Sequence, residues 1–363
     1  NRSVICRATD PAAAASDSLG YSVAAIADLT GDGKPDIIAG AFLDDVGPNV
    51  NAGSVLLFSG ANCAFVRKMT DPAGLTSDQM GVSVAAIGDV NGDGASDIAA
   101  GAYLDDDLAV NNDQGSVVIF SGATGAFIRK LTDPGGEAAA SLGLSVAGLG
   151  DVNGDGTADV LAGQYQDNTG AGTDAGSAIV FSGKDGTILY RVFDSPGFVF
   201  DNFGYSVSGI ADVTGDGVGD LVIGANFADT AGGGDAGSVS LFNGATGAFI
   251  RKMTDPGGLT SDHLGWSVAG VPDMNGDGTP DVLAGAPDDD TPQGANAGSV
   301  LLFSGGTGAL IRKITDTAGA AGDQLGISVT AGGNIAGDPG LEILAGAWGD
   351  NVFDVDNGSV LIF

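Results

Sequence analysis

The sequence predicts an all-β protein made of six repeats, and three observations support that prediction. An acidic nine-residue loop recurs with starts 61 or 62 residues apart, so that six repeats fill all 363 residues. Between its copies lie runs of five or six alternating or β-branched residues, punctuated by Gly, Asp and Pro, which is the pattern of short strands and hairpins. Gly contributes 64 residues and aromatic residues only 6% of the chain, a composition that favours tight turns over long helices. We therefore expect almost no helix.

The second repeat shows the four strands that each repeat predicts. Its first strand spans Met80–Ile87 and precedes the acidic loop, and its second spans Ile98–Tyr103. A longer acidic loop leads to a third strand at Gly115–Phe120, and a tight turn returns the chain along a fourth at Phe127–Thr132. Four-stranded antiparallel units repeated at this period are typical of β-propeller blades. The sequence thus predicts a six-bladed β-propeller of four-stranded antiparallel blades, forming one domain over residues 1–363.

The two chain ends predict how this propeller closes. Residues 4–11 align with the fourth strand of the other repeats, whereas residues 358–363 align with a third strand. The sixth repeat therefore lacks its outer strand, and the N-terminal segment supplies a spare one. We expect these two strands to pair, because closure removes the exposed strand edges that an open array leaves.

The repeated loop has the side-chain pattern of a calcium site. Calcium takes about six to eight oxygen ligands, and positions 1, 3, 5 and 9 of the loop carry carboxylate, amide or hydroxyl oxygens, with a main-chain carbonyl at position 7. Position 6 is Gly in all five intact copies, as expected where the chain turns sharply with positive φ. We predict about five Ca²⁺ ions. Their predicted ligands are Asp28, Thr30, Asp32, Lys34 and Asp36 in the first loop, Asp89, Asn91, Asp93, Ala95 and Asp97 in the second, Asp151, Asn153, Asp155, Thr157 and Asp159 in the third, Asp212, Thr214, Asp216, Val218 and Asp220 in the fourth, and Asp273, Asn275, Asp277, Thr279 and Asp281 in the fifth.

Other interpretations of the loop fit the sequence less well. Asp-Gly-rich turns build hairpins without metal, but a hairpin does not need three carboxylates at fixed positions. Magnesium is the weaker candidate, because it accommodates crowded, flexible oxygen cages poorly. An EF-hand needs flanking helices and a Glu at position 12, where this chain has Ala or Ile within a strand.

The copies of the loop differ in quality. Thr30 and Thr214 stand at position 3, where the other intact copies have Asn, so a hydroxyl must replace an amide oxygen and these two sites should bind calcium more weakly. The sixth copy, Asn334–Glu342, has lost the Asp at position 1 and has Pro339 in place of the Gly. Because proline cannot adopt positive φ, we expect this loop to be empty or partly occupied.

The charge and the scarcity of His and Cys exclude several functions. The formal net charge is −33, and such a field repels nucleic acid and anionic membrane surfaces. No apolar run is long enough for a transmembrane helix, so we expect no membrane insertion. With one His and two Cys in the chain, zinc sites and His-dependent catalytic triads are disfavoured. Cys6 and Cys63 could form one disulfide, but they align with an outer strand and with a hairpin tip of a different repeat, and we favour unpaired thiols.

Two further sets of residues are candidates for a ligand surface. Ten of the 13 basic residues lie in the fourth strands, where charges either discourage edge-to-edge pairing or form a belt for anionic glycans or an adjoining domain. The loops after the second strands combine acidic and aromatic residues, and loops of this kind commonly carry function. Their members are Asp44, Asp45, Asp105, Asp106, Asp107, Asp167, Asp229, Asp288, Asp289, Asp290 and Asp350, beside Phe42, Tyr103, Tyr165, Phe227 and Trp348. The sole histidine, His263, is expected to be a polar loop residue.

Two more motifs accompany the acidic loop in every repeat. The first precedes the loop and is followed by x-Ser-Val: Leu19–Gly20, Met80–Gly81, Leu142–Gly143, Phe203–Gly204, Leu264–Gly265 and Leu325–Gly326. The second follows the loop: Gly40–Phe42, Gly101–Tyr103, Gly163–Tyr165, Gly224–Asn226, Gly285–Pro287 and Gly346–Trp348. With these motifs the whole chain resembles the FG-GAP repeats of the integrin α-subunit β-propeller. The resemblance implies a propeller with calcium in the loops that join the first and second strands. Integrin heads have seven blades and calcium in only some of them, so the six repeats counted here depart from that pattern.

The predicted function follows from a structural use of calcium. We expect each ion to crosslink one hairpin, and we expect a non-catalytic recognition or adhesion module that is extracellular, at the cell surface or periplasmic. It would act as a monomer, alone or within a larger surface protein, with a protein or glycan ligand on the side opposite the calcium loops. A carbohydrate-binding lectin is the first alternative. A sugar-active enzyme is the second, since paired carboxylates suffice for glycosidic chemistry, although no isolated Asp/Glu pair breaks the repeat symmetry.

Overall fold

Each repeat folds as one antiparallel sheet whose strands follow the order of the chain. The computed structural model describes residues 6–14, 16–106, 113–333, 341–350 and 358–363, and in these residues it has 23 β-strands and no α-helix. The chain divides into two compact units, the first made of Asn1–Asp167 and Ile179–Arg191 and the second of Asn168–Ala178 and Val192–Phe363. Three sheets lie mainly in each unit.

The first unit holds three four-stranded sheets. Their strands are β1 (Leu19–Ile26), β2 (Asp36–Ala41), β3 (Ser54–Phe58) and β4 (Phe65–Met69) in the first sheet, β5 (Ser83–Ala86), β6 (Ile98–Ala102), β7 (Ser116–Phe120) and β8 (Phe127–Leu131) in the second, and β9 (Leu142–Gly148), β10 (Val160–Gln164), β11 (Ser177–Phe181) and β12 (Ile188–Val192) in the third. The four strands predicted for the second repeat are therefore confirmed to within a few residues at each end.

The second unit holds two four-stranded sheets and, in its described residues, one three-stranded sheet. Their strands are β13 (Phe203–Ile210), β14 (Asp220–Ala225), β15 (Ser238–Phe242) and β16 (Phe249–Met253), then β17 (Ser267–Val271), β18 (Asp281–Ala286), β19 (Ser299–Phe303) and β20 (Leu310–Ile314), and finally β21 (Leu325–Ala331), β22 (Ile343–Ala347) and β23 (Ser359–Ile362). The last sheet ends with its third strand, as the sequence predicts.

Six sheets, one for each repeat, give the predicted fold class, an all-β six-bladed β-propeller. The predicted pairing of residues 4–11 with the last strand involves residues outside the described ranges, and it stays a prediction. The single domain over residues 1–363 also stays a prediction. The sixth acidic loop lies largely outside the described part of the chain, because that part omits residues 334–340.

The second and third strands form the core of the first five sheets. All five residues of β3 and of β7 are buried, and so are all six of β14. Strands that are covered on both faces have continuous apolar runs rather than an alternating pattern. Within the first unit, one apolar cluster contains Ile119 of the second sheet together with Phe181 of the third. Apolar burial therefore holds consecutive repeats together as well as each sheet.

The two glycine motifs meet at the boundary between consecutive repeats. Ser83 Oγ donates a hydrogen bond to the main-chain oxygen of Gly143 at 2.8 Å, and a Cβ at Gly101 would lie 1.8 Å from that same oxygen. Gly101 is therefore required, because the next repeat places its carbonyl directly against it. The same serine contact recurs as Ser22 with Gly81, Ser206 with Gly265 and Ser267 with Gly326. We call this arrangement the serine–glycine joint.

Basic side chains of the fourth strands also cross repeat boundaries, and for five of the ten this corrects the expectation of an exposed charged edge or a ligand belt. Lys130 Nζ lies 2.6 Å from Asp71 Oδ2 in the preceding repeat and 2.7 Å from Asp105 Oδ2 in its own. The side chain of Lys130 is only 9% exposed. Equivalent ion pairs join Lys68 to Asp10 and Asp44, Arg191 to Asp133 and Asp167, Lys252 to Asp194, and Lys313 to Asp255 and Asp289. Five of the ten basic residues thus stabilise boundaries between repeats.

The two cysteines form a disulfide, so the expectation of unpaired thiols was wrong. The Cα atoms of Cys6 and Cys63 are 5.8 Å apart. The reason is visible in the next repeat, where the aligned residues are Arg67 and Gly125 and a Cβ at Gly125 would lie 2.8 Å from Cδ of Arg67. The fourth-strand residue and the following hairpin tip are therefore neighbours across a repeat boundary. At the first boundary both positions are cysteine.

Candidate metal centre

The five intact acidic loops each connect the first strand of a sheet to its second. In a four-stranded meander, the turn between the third and fourth strands lies at the same end of the sheet. In the first loop, one oxygen atom from each of Asp28, Asp32 and Asp36 lies within 4.8 Å of the others. Carboxylates at this spacing repel one another unless a cation lies among them.

The Asp at position 1 shapes each loop from within. Asp28 accepts hydrogen bonds from the main-chain N–H groups of Gly31 and Gly33, both at 2.7 Å. The same two bonds form in the other four loops at 2.6–2.8 Å. Positive φ at position 6 is confirmed, with values of 85–89° in the five loops. The N–H of Gly33 holds the pKa of Asp28 below its ordinary value, which keeps this carboxylate anionic.

The Asp at position 9 is fully buried in every intact loop. These residues are Asp36, Asp97, Asp159, Asp220 and Asp281, each 0% exposed. Asp97 accepts the N–H of Val90 at 2.9 Å and that of Gly122 at 3.0 Å. Burial raises the pKa of Asp97, and the carboxylates of Asp93 and Asp89 add to the rise. Burial likewise raises the pKa of Asp159, Asp220 and Asp281. A cation at this place would offset both effects, because it stabilises the ionised form.

A turn outside the loop supports it, and the sequence analysis missed this turn. Ser121 Oγ, between β7 and β8, donates to Asp93 Oδ2 at 3.0 Å, and the next residue, Gly122, donates its N–H to Asp97. A Cβ at Gly122 would lie 1.8 Å from the main-chain oxygen of Ser96. The pair recurs as Ser59–Gly60, Ser182–Gly183, Asn243–Gly244 and Ser304–Gly305. Its period equals that of the loop, and that shared period is the signal that could have revealed it.

Positions 7 and 3 also hydrogen-bond within the loop. The N–H of Ala95 at position 7 donates to Asp93 at 3.0 Å, and the other intact loops have the same bond. At position 3, Asn91 accepts the N–H of Asp93 at 2.8 Å and directs its Nδ2 toward the Asp93 carboxylate at 2.9 Å. Coordination of an ion by Asn91 Oδ1 would therefore require its amide to turn. Ligation by positions 3 and 7 stays a prediction.

Thr214 shows how position 3 differs in the fourth loop. Its single hydroxyl donates to Asp212 Oδ1 at 3.3 Å and accepts from Asn243 Nδ2 at 3.1 Å. A hydroxyl that already makes two hydrogen bonds is a poorer ligand than an amide oxygen that can turn toward the ion. That the two threonine loops are the weaker sites stays a prediction.

The donor set of the loops fits a hard divalent cation. Each of the five intact loops contains three carboxylates and an amide or hydroxyl oxygen at fixed positions in sequence, and no thiolate or imidazole belongs to the set. All-oxygen sets of this kind suit calcium or magnesium. Such an ion would supply charge compensation, and the residues themselves fix the loop against the neighbouring Ser-Gly turn.

Comparison with known proteins classifies the repeats. The family model described as "FG-GAP repeat" matches residues 19–58, 80–120, 203–242 and 264–303. The chain contains FG-GAP repeats. Each matched FG-GAP repeat begins with the first glycine motif, includes an acidic loop and ends with the third strand of its sheet.

The chain is also similar to integrin alpha subunits. It is 34% identical to integrin alpha-V of Gallus gallus over 244 residues, which is 62% of this chain and 22% of that protein. It is 30% identical to integrin alpha pat-2 of Caenorhabditis briggsae, over 58% of this chain and 18% of the relative, and 35% identical to integrin alpha-7 of Homo sapiens, over 41% of this chain and 12% of the relative. The chain therefore spans less than a quarter of the length of these relatives.

The acidic and aromatic residues predicted to form a ligand surface differ from one another in burial and in contacts. Asp44, Asp105, Asp167 and Asp289 are buried, and each forms an ion pair with the fourth-strand basic residue of its own repeat. His263 Nδ1 lies 2.7 Å from Asp288 Oδ2, and its ring centroid is 4.7 Å from that of Phe227. Asp107 lies outside the described residues. None of the described ranges contains a helix that could cross a membrane.

Proposed function

We propose that this chain is a calcium-stabilised extracellular recognition or adhesion module, built as one FG-GAP β-propeller domain. The observation that carries the proposal is the carboxylate at position 9, which is fully buried in all five loops and in the first loop has an oxygen within 4.8 Å of two further carboxylates. Calcium would compensate these charges and tie each acidic loop to the turn between the third and fourth strands. The proposed ligands are the residues at positions 1, 3, 5, 7 and 9 of the five intact loops.

Two observations support a location outside the cytoplasm. The chain is similar to integrin alpha subunits, and it has a disulfide between Cys6 and Cys63. Disulfides persist mainly in oxidising compartments. Calcium sites of extracellular modules have dissociation constants of about 10⁻⁴–10⁻³ M, so sites of this class fill where calcium is abundant.

The module is proposed to bind a partner rather than to catalyse a reaction. A protein or glycan ligand would bind at the ends of the sheets opposite the acidic loops, where the connections between repeats differ most in sequence. The acidic loops then have a structural role. Their ions fix one end of each sheet, and the rigid sheets keep the ligand-binding surface at the other end in its conformation. The chain is proposed to act as a monomer, alone or within a larger surface protein.

Thermal unfolding with and without calcium tests the calcium part of the proposal. Ligands that bind only the native state stabilise it by about 2.7 kcal/mol for each site at a concentration 100 times the dissociation constant, so EGTA should lower the melting temperature of the wild-type protein substantially. Asp97→Asn should reduce that difference, because it removes the buried charge of one loop. Asp290→Asn removes an equal charge from an exposed residue outside the loops and should leave it unchanged. Identical melting curves in calcium and in EGTA would contradict the proposal. If magnesium raised the melting temperature and calcium did not, magnesium would be the ion that these loops bind.

A further inference from the structure

The connection between β12 and β13, residues 193–202, is the most apolar of the connections between repeats. Four large apolar side chains of this segment are exposed: Phe193 by 47%, Phe198 by 53%, Val199 by 51% and Phe200 by 56%. The equivalent connection after β16 has Thr254 in place of Phe193, Thr260 in place of Val199 and Ser261 in place of Phe200. We call residues 193–200 the aromatic loop. Exposed apolar patches of this kind commonly mark interaction sites.

The fold does not require these apolar side chains. Phe198 donates its N–H to the Asp201 carboxylate at 2.7 Å, as Leu259 does to Asp262 at 2.6 Å. Phe200 donates its N–H to a facing main-chain oxygen at 2.9 Å, and Ser261 makes the corresponding bond at 3.0 Å. The two connections thus share these main-chain hydrogen bonds while carrying different side chains.

Phe200 is also held in an unfavourable backbone conformation. Its φ is 64°, close to the 65° of Ser261. Bulky residues rarely occupy the left-handed region, and strain of this kind is concentrated at functional positions. Since a serine meets the same backbone requirement, the fold does not account for the exposed ring of Phe200.

A cavity of about 310 Å³ adjoins the aromatic loop within the second unit. Phe193 and Gly197 line it from the loop, and Thr169 and Ala171 line it from the facing segment. This volume lies at the lower end of the range of about 300–1,000 Å³ found for ligand pockets. It therefore suits one bulky apolar side chain better than a whole small-molecule ligand.

The surroundings of the aromatic loop are acidic. Asn202 donates its N–H to the main-chain oxygen of Asp174 at 3.2 Å, and the exposed Asp229 is hydrogen-bonded through its backbone to Asp201. Lys252 also reaches the loop, but its charge is paired with Asp194 at 2.7 Å. The carboxylates that border the loop therefore leave a net negative charge, which favours a positively charged partner.

We propose that the aromatic loop and its cavity bind a peptide segment of a partner protein in which bulky apolar residues are flanked by Lys or Arg. One apolar side chain enters the cavity, the exposed rings of the loop cover its neighbours, and the basic residues face Asp174 and Asp229. A second copy of this chain is a poor occupant, because the net charge of −33 makes two acidic surfaces repel. The inference rests on the proposed function as a recognition module and specifies where and what it recognises.

Fluorescence anisotropy tests the proposal with the calcium-loaded full chain. The probe is a fluorescein-labelled peptide that alternates leucine and lysine around a central tryptophan, compared with a glutamate-for-lysine and a serine-for-leucine version. Wild-type protein should bind the first peptide, and the variant F193T/V199T/F200S should bind it at least about tenfold more weakly. Both altered peptides should lose affinity for the wild-type protein. The reciprocal variant T254F/T260V/S261F should keep wild-type affinity, because its original loop is intact.

Several results would overturn the proposal. Equal binding of the peptide by the wild type and F193T/V199T/F200S would show that the acidic surface alone attracts it. If the wild-type protein bound the glutamate peptide as tightly as the lysine peptide, a partner with basic residues would be excluded. Self-association of the wild type in analytical ultracentrifugation that is lost in the variant would assign the loop to a second copy. If no peptide binds while EGTA still lowers the melting temperature, this inference fails and the calcium proposal stands; matching melting temperatures of the variants would confirm that they are folded.

Discussion

Lys130 and Asp71 lie in consecutive repeats, and the lysine Nζ is 2.6 Å from the aspartate Oδ2. Together with Asp105, 2.7 Å from the same Nζ, they form a nearly buried ion cluster across a repeat boundary. Removing one partner of such a cluster leaves uncompensated buried charge. We expect Lys130→Met to lower the free energy of unfolding by about 3–5 kcal/mol, measured by urea denaturation.

Lys130→Arg is the matched control for this change. The third repeat already has Arg191 at the aligned position, paired with Asp133 and Asp167. The arginine variant should therefore retain most of the stability that Lys130→Met loses. A methionine variant as stable as the wild type would show that the ion cluster makes no net contribution at this boundary.

The disulfide between Cys6 and Cys63 should stabilise the protein appreciably. It closes a segment with a sequence separation of 57 residues, and the chain-entropy relation gives about 4 kcal/mol for a loop of this size. We expect Cys6→Ser to lower the free energy of unfolding by an amount of this order in nonreducing denaturation experiments. Reducing agent should have the same effect on the wild type and little on the variant.

A second variant separates the crosslink from the local packing. In the next repeat the aligned residues are Arg67 and Gly125, and Arg67 Nη1 donates to the main-chain oxygen of Gly122 at 3.1 Å. Cys63 has a φ of 58°, which glycine adopts without strain. The double variant C6R/C63G should therefore be more stable than Cys6→Ser while being insensitive to reducing agent. If C6R/C63G and Cys6→Ser were equally stable, the first boundary between repeats would not be equivalent to the second.

Replacing Thr214 by Asn should strengthen the fourth acidic loop. The threonine hydroxyl is engaged by Asp212 and Asn243, whereas asparagine offers an amide oxygen to the ion. We expect calcium titration calorimetry to show several-fold tighter binding at one site. Asn275→Thr in the fifth loop is the reverse control and should weaken one site. A titration curve unaltered by both changes would exclude position 3 as a ligand.

Two buried carboxyl groups should make stability depend on pH. Burial raises the pKa of Asp78 and of Asp201 from an ordinary value of 3.8 to about 6. Between pH 3.8 and about pH 6 the folded protein holds protons on these groups that the unfolded chain has released. The free energy of unfolding therefore falls as pH rises through this range, and the loss is complete above about pH 6. Asp78→Asn and Asp201→Asn should therefore raise the melting temperature relative to the wild type above pH 6, with the advantage fading below pH 5.

The control for the pH experiment is an aspartate with the opposite shift. Hydrogen bonds from Thr187 lower the pKa of Asp185, which is fully exposed. Asp185→Asn should give no gain above pH 6, because its ionised form is the favoured one in the fold. A gain of the same size in all three variants would reflect the reduced net charge rather than burial.

The repeat pattern predicts what each residue does within its own repeat. Asp97 and Gly94 have fixed positions within one nonapeptide, and their burial and positive φ follow from local chain geometry. The four strands of a repeat are equally local, since each hairpin joins neighbours in sequence. For this reason the amino-acid pattern alone predicts the fold class and the positive φ at position 6 of the acidic loops, but not the contacts that the Ser-Gly turn makes to Asp93 and Asp97.

Contacts between repeats could not be derived in this way. The period shows that Cys6 aligns with Arg67 and Cys63 with Gly125, but it does not show that these two positions touch. The pairing of Lys130 with Asp71 was missed for the same reason, because the residues are distant in sequence. The exposed Phe200 was also missed, since it departs from the pattern that the other repeats share.

Because of the serine–glycine joint, any repeat can make the same contact with any other repeat that follows it. Ser83 donates to a main-chain oxygen, that of Gly143, and every repeat has a glycine at the aligned position of its first motif. A duplicated or deleted repeat would therefore meet the same acceptor at its new boundary as at its old one. Such a chain can change length by whole repeats through recombination, without any new contact having to evolve at the junction.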